Sequence, residues 1–188
     1  MDVSWFQQQP VVSLSLINSL HLPRDAAIID VGGGASVLVD HLLEAGYRNL
    51  AVLDISEQAL AHSQSRLGGQ AEKIEWFIED ITKFSPTRKF DLWHDRAVFH
   101  FLTDASDRLH YVTNLQKAMA PNGHVIVATF AKGGPEKCSN LDVVQYDEAG
   151  IAVELGKGFV LRSTRHELHV TPAGKEQAFN YFHFQKID

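Results

Sequence analysis

Three acidic residues and a run of glycines carry the first chemistry in this sequence. "IIDVGGGAS" places Asp30 two residues before Gly32, with Gly33 and Gly34 following and Ser36 at the start of a helix-like stretch. Glycines let a ligand approach the backbone where a side chain would hold it away. The helix start beyond them offers unpaired N–H groups to an anionic group. Asp54 ends the apolar run "NLAVLDI", where its carboxylate is able to accept bonds from both hydroxyls of a ribose. Asp80 ends "KIEWFIED" and is followed by Ile81. A carboxylate there receives an amino group of a heterocycle while the neighbouring side chain packs on the ring. Any one of these acids alone reads equally as a solvated strand end or a helix cap. Three acids closing three successive strands, beside a glycine loop, form a constellation.

A second group of ionisable residues lies in "FDLWHDRAVFHFL". His94, Asp95 and Arg96 are consecutive, and His100 follows. Strand side chains alternate, so His94 and Asp95 face opposite ways while the strand stays regular. His94 and His100 titrate near neutrality when unperturbed and are the candidate general bases; a histidine on an apolar turn serves packing more often, and that reading is preferred here. Arg96 is the candidate for steering an acceptor. Its plainer role is to brace the loop by pairing with Asp95 or Asp107. His166 and His169 are three apart on a strand-like run and point to opposite faces. With a single cysteine, Cys138, that argues against a structural zinc site, so no metal site is expected. Cys138 itself reads as a small buried filler.

The elements that must hold these residues alternate in type. Strand-like runs at 26–31, 49–55, 73–80, 89–95 and 124–131 are separated by helix-like stretches at 36–46, 56–69 and about 105–119, with "PNG" (121–123) turning the chain into the fifth strand. A weaker helix at 147–156 precedes two long strand-like runs around the turn "TPAG" (171–174). This βαβα alternation predicts an α/β, doubly wound, mostly parallel sheet with helices on both faces. The last two runs are joined too tightly for a parallel crossover and pair antiparallel.

The chain has 188 residues, 45% hydrophobic and 21% charged, with a formal charge of −6. These values suit one soluble domain, residues 1–188. The charge argues against nucleic acid as a partner. No apolar run approaches the roughly 18 residues of a membrane span, and the first positive charge, Arg24, comes too late for a secretory signal. A cytoplasmic location is the expectation.

With these residues in place, the sequence resembles the class I S-adenosylmethionine-dependent methyltransferases. The likeness runs through "DVGGGAS", "LDIS", "EDI", "FDLWHDRAVFHFL", "APNGHVIVATF" and the terminal hairpin. It implies a seven-stranded sheet with an antiparallel last strand, and S-adenosylmethionine as cofactor. It places Gly32 and Gly34 under the methionine part, Asp54 with its neighbour Ile55 at the ribose, Asp80 with Ile81 at the adenine, and the Asp95–Arg96 backbone near the cofactor amino group. It also implies that the N-terminal segment, residues 1–22, folds over the cofactor as a lid carrying Trp5 and Phe6. "WHDRA" looks like the W-D-R-G segment of thiopurine methyltransferases, in which the arginine borders the acceptor pocket. The function expected is therefore methyl transfer to a small molecule with a soft sulfur or selenium nucleophile, without a metal. The competing expectations are a protein lysine methyltransferase, a nicotinamide oxidoreductase and a non-catalytic cofactor-binding module. The glycine spacing and the terminal hairpin count against the oxidoreductase.

Overall fold

The computed structural model describes residues 6–187. In chain order the elements are α1 (Val11–Ser19), β1 (Ala27–Val31), α2 (Leu38–Glu44), β2 (Asn49–Asp54), α3 (Glu57–Leu67), β3 (Ile74–Ile78), β4 (Phe90–Arg96), α4 (Ala105–Ala118), β5 (Met119–Phe130), a short hairpin of β6 (Lys137–Cys138) and β7 (Leu141–Asp142), α5 (Glu148–Leu155), β8 (Phe159–Val170) and β9 (Glu176–Lys186). Seven strands form one sheet in the order β3-β2-β1-β4-β5-β9-β8. The strands from β3 to β5 pair in parallel, and β9 runs antiparallel to both β5 and β8. The doubly wound sheet with a reversed last strand is thus the fold of this chain.

The inner strands β1, β2 and β4 are largely buried because they are apolar on both faces, as parallel strands under helices must be. All five residues of β1 are buried. Ile29, Val31, Trp93 and Val127 pack toward Tyr111, Leu115, Ile151 and Leu155 of α4 and α5. Ile28, Leu92, Ile126 and Ala128 pack toward Leu16 and Ile17 of α1, Leu38 and Leu42 of α2, and Leu60 of α3. From β1 the chain winds outward in both directions, so the carboxyl ends of β1 and β4 flank the switch point where ligands bind in such sheets. No helix among the described residues is long and apolar enough to cross a membrane.

Two local features differ from expectation. "PNG" does not precede the fifth strand but lies within β5. Pairing jumps from Phe90–Met119 to Leu92–His124, with Asn122 at φ +59° absorbing the irregularity. The hairpin at 137–142 has no clear sequence signal. Its two central residues, Ser139 and Asn140, both take positive φ, as the favoured two-residue hairpin turn requires.

Candidate active site

The loop from β1 to α2 is closed so tightly that side chains do not fit. A Cβ on Gly34 would lie 2.5 Å from Asp54 Oδ2 and 2.7 Å from the Ala59 side chain, and one on Gly33 would collide with Asp30. The Gly34 N–H donates to Asp54 Oδ2 at 2.9 Å, and the Ser56 N–H donates to Asp54 Oδ1 at 2.8 Å. Asp54 is thereby fixed at the end of β2. Burial pushes its carboxyl above the usual range, and those two N–H groups oppose the shift without cancelling it. Ser36, where a third glycine is the commoner choice, accepts from the Leu38 N–H at 3.1 Å, one residue before the Val37 cap of α2.

A mostly apolar cleft of about 540 Å³ opens beside this loop, lined by Gly32, Asp54, Ile55, Asp80, Ile81 and Arg96 among others. That size suits a bound small molecule. Ile55 stands at its rim 72% exposed, and Ile81 is buried in its wall. Asp80 Oδ1 accepts from the Thr82 N–H and hydroxyl at 2.9 and 2.8 Å. Slight desolvation works against its charge, but those bonds and nearby Lys83 hold the carboxyl below its ordinary value. The β6–β7 hairpin contributes Cys138, Ser139 and Leu141 to the far wall.

The end of β4 uses its ionisable residues differently from expectation. His94 faces α1: Nδ1 lies 2.7 Å from Asp30 Oδ1 and Nε2 lies 2.9 Å from Ser13 Oγ. Both ring nitrogens are engaged and the side chain is buried, so His94 braces Asp30 rather than facing the cleft as a general base. Asp95 faces the other layer. It accepts from the Val98 N–H at 2.8 Å, the Phe99 N–H at 3.1 Å and the Tyr111 hydroxyl at 2.7 Å. Burial pushes its carboxyl up to about 6, with the Tyr111, Val98 and His94 interactions opposing. Its carboxylate therefore shapes the turn at 96–99, and only the neighbouring residues, Arg96 to Val98, reach the cleft. Ala97 has φ +75° there, an uncommon backbone for a residue with a side chain, fixed by its N–H to Ala128 O at 2.9 Å.

The general-base role for His100 is corrected. The residue is wholly buried among Phe101, Phe130 and Phe179, and the Phe130 N–H points at Nδ1 from 3.4 Å. Burial, helped by the Arg96 charge, lowers its pKa to about 3. It is a neutral packing residue outside the cleft.

Arg96 is braced, but not by Asp95 or Asp107. Its Nε donates to the Tyr181 hydroxyl at 2.8 Å, a guanidinium nitrogen lies 3.8 Å from Glu167 Oε2, and the group sits 4.7 Å over the Phe179 ring. The Tyr181 hydroxyl also donates to Glu167 Oε2 at 2.7 Å. Gln7 Nε2 donates to Glu167 Oε1 at 2.7 Å. These partners come from β8, β9 and the N-terminal segment. The expected lid falls partly on Trp5, which lies outside the described residues. Phe6 is half-buried, and Gln7, Pro10 and Ser13 line a small cavity of about 30 Å³ with Asp30, Gly32 and Arg96. Ser13, Gln7, Glu167 and Tyr181 were not picked out from the sequence, because nothing local marks them. Cys138 is buried, and His166 Nδ1 meets Asn180 Oδ1 at 2.6 Å. Among the described residues no three His, Cys, Asp or Glu side chains converge on a common metal position.

An adenosyl-type cofactor fits this edge on two observations. The cleft of about 540 Å³ brings Gly32 of the glycine loop together with Asp54, Ile55, Asp80 and Ile81. Asp30 Oδ2 is buried and, among the described residues, has no hydrogen-bond partner.

The family described as "Methyltransferase domain" matches residues 29–125. Nodulation protein S of Sinorhizobium fredii is 28% identical over 127 residues, covering 67% of this chain and 57% of that protein. EEF1A lysine methyltransferase 2 of Danio rerio is 29% identical over 133 residues, covering 66% of this chain and 57% of that one. The chain thus spans under three fifths of these relatives' length. The solved Burkholderia thailandensis 1,6-didemethyltoxoflavin-N1-methyltransferase, with bound 1,6-didemethyltoxoflavin and S-adenosylhomocysteine, superposes with a TM-score of 0.73 at 20% identity, covering 94% of this chain and 77% of that one. At that identity the likeness speaks to the fold.

Proposed function

This chain belongs to the class I S-adenosylmethionine-dependent methyltransferases, and from that premise we propose that it methylates a nitrogen of a small molecule. The observation that carries the acceptor class is the compensated charge of Arg96. The soft-nucleophile expectation relied on an arginine open to an anionic acceptor such as a thiolate. Glu167 and Tyr181 instead close on it, so the wall beside the cleft favours a neutral acceptor. The ring-nitrogen acceptor in the name of the Burkholderia enzyme and the lysine in the name of the Danio relative support nitrogen.

When bound, S-adenosylmethionine supplies a sulfonium methyl that passes to the acceptor's lone pair as the carbon–sulfur bond breaks and a neutral thioether leaves. In this reading Asp54 accepts from the ribose hydroxyls and Ile55 packs beside them. Asp80 and Ile81 take the adenine, and the Gly32–Gly34 backbone carries the methionine part. Arg96, Ala97 and Val98 form the wall against which the acceptor is oriented. Orientation and exclusion of water are the main contributions of such a site. His94 and His100 are committed elsewhere, so the acceptor enters as its unprotonated amine and sheds its proton to solvent after transfer.

The test is transfer of labelled methyl from S-adenosylmethionine across small amines, heterocycles, thiols, selenols and carboxylates, and a lysate protein fraction. Amines or ring nitrogens should take label fastest, with a rate that rises toward the acceptor's own pKa. Label entering thiols first restores the soft-nucleophile reading. Label entering one lysate protein and no small molecule replaces both with a protein lysine methyltransferase.

A further inference from the structure

The small cavity under the N-terminal segment holds two buried oxygens that lack a donor. Asp30 and Gln7 both line it, and Asp30 Oδ2 and Gln7 Oε1 are buried and, among the described residues, have no hydrogen-bond partner. Each belongs to a side chain whose other polar atom is fixed. Asp30 Oδ1 is held by His94, which is held in turn by Ser13 of α1. Gln7 Nε2 donates to Glu167 Oε1. The amide cannot be turned over, because that would set its oxygen against the Glu167 carboxylate and lose a charge-assisted bond. The amide oxygen is therefore the atom of Gln7 left buried without a donor.

Two buried acceptors without a donor cost free energy until a donor arrives. At about 30 Å³ the cavity takes a group the size of a water molecule or an ammonium. The glycine loop runs along one side, since Gly32 and Gly33 line it as well. A group with several N–H donors and a positive charge answers both oxygens at once.

We propose that Gln7 is a cofactor-binding residue: its amide oxygen, with Asp30 Oδ2, takes the methionine ammonium of S-adenosylmethionine, and its amide nitrogen holds the N-terminal segment to Glu167. The assignment rests on the methyltransferase reading above and adds to it a contact from outside the glycine loop. It makes the cofactor a clasp. Glu167 anchors the same side chain from the sheet, so a bound ammonium would steady residues 6–10 in the position they hold here.

The experiment is calorimetric titration with S-adenosylhomocysteine and with its analogue in which hydrogen replaces the α-amino group. Wild-type protein, Gln7→Ala and Gln7→Glu are compared, with hydrogen exchange at residues 6–10 as a second readout. Gln7→Ala should bind S-adenosylhomocysteine about tenfold more weakly, the loss expected of one bond to a charged group, and bind the analogue as wild type does. Gln7→Glu keeps an oxygen for the ammonium but sets a carboxylate against Glu167, so it should still bind S-adenosylhomocysteine better than the analogue while exchange at residues 6–10 speeds up. In wild type, S-adenosylhomocysteine should protect residues 6–10 and the analogue should not. Equal loss for both compounds in Gln7→Ala, or no loss for either, overturns the role of Gln7 and leaves the methyltransferase reading intact. A wild-type protein that binds neither compound overturns both.

Discussion

Two stretches of the same sheet edge are built on opposite plans. At the ends of β2 and β3 each acid is placed by its own neighbourhood. Gly34 and Asp54, whose bond ties the glycine loop to the second strand, are 20 residues apart, one βαβ unit. At the end of β4 the partners come from far along the chain. Asp95 is held by Val98, Phe99 and Tyr111, but Arg96 and Tyr181 are 85 residues apart and His94 and Ser13 are 81. The edge proposed to hold the ribose and adenine is thus a local device. The acceptor side exists only once α1, β8 and β9 have docked. Under the proposed function, changes at Asp54, Asp80 and the glycine loop act on cofactor affinity, and changes at Arg96 alter acceptor handling and stability together.

The largest effect should come from filling the glycine loop. Gly34→Val drives a branched side chain into Asp54 and the first turn of α3, and S-adenosylhomocysteine affinity should fall by more than about 100-fold, or roughly 2.7 kcal/mol. Gly69→Val, where nothing lies within 4 Å of an added Cβ, serves as the control and should bind as wild type. Equal binding by both variants would mean the loop does not carry the cofactor. Next comes Asp54→Ala, which removes two ribose bonds and should cost roughly 1–3 kcal/mol of cofactor affinity in calorimetry. A loss confined to melting temperature, with affinity intact, would assign Asp54 to the bond with Gly34 and nothing more.

The comparison is sharpened by Arg96→Ala. Cofactor affinity should stay within about threefold of wild type, while kcat/KM for the methylated amine falls at least tenfold. Glu167 and Tyr181 lose a partner in this variant, so stability should also drop by about 1–3 kcal/mol. If affinity for the cofactor collapses while acceptor kinetics hold, the division between the two regions is wrong.

Much of the first region was legible in the sequence because each signal sits beside the residue it positions. "IIDV", "VLDI" and "FIED" each end an apolar run with an acid, and the chain order of the elements dictates their alignment. The reversed final strand was legible too, since four residues between two long runs leave no room for a crossover. What sequence could not supply was pairing across the sheet. The type and place of Arg96 mark it in the sequence, but its partners, Glu167 and Tyr181, lie 71 and 85 residues on, and a sequence offers only proximity along the chain. Glu167 lies in an ordinary strand run and carries no motif. His100 illustrates the converse: its type suggested chemistry, and only the three phenylalanine rings packed on it show that it is kept neutral.

The smallest expected effect follows from that burial. With its pKa at about 3 in the fold and near 6.5 when unfolded, His100 binds its proton only on unfolding. Its contribution is complete above about pH 6.5 and declines as pH falls toward 3, by up to about 1.4 kcal/mol per pH unit. His100→Phe should keep most of the methylation rate and make the acid loss of stability shallower by about one proton in urea titrations between pH 7 and 5. A variant that loses activity at an unchanged melting temperature would return His100 to the chemistry.

The account rests most directly on what the glycine loop and the strand-end acids bind. Calorimetric titration of the wild-type chain with S-adenosylhomocysteine and, separately, with NAD decides it. One equivalent of S-adenosylhomocysteine should bind while NAD gives no heat of binding. Saturable binding of NAD, with none of S-adenosylhomocysteine, would contradict the assignment of this sheet edge to methyl transfer.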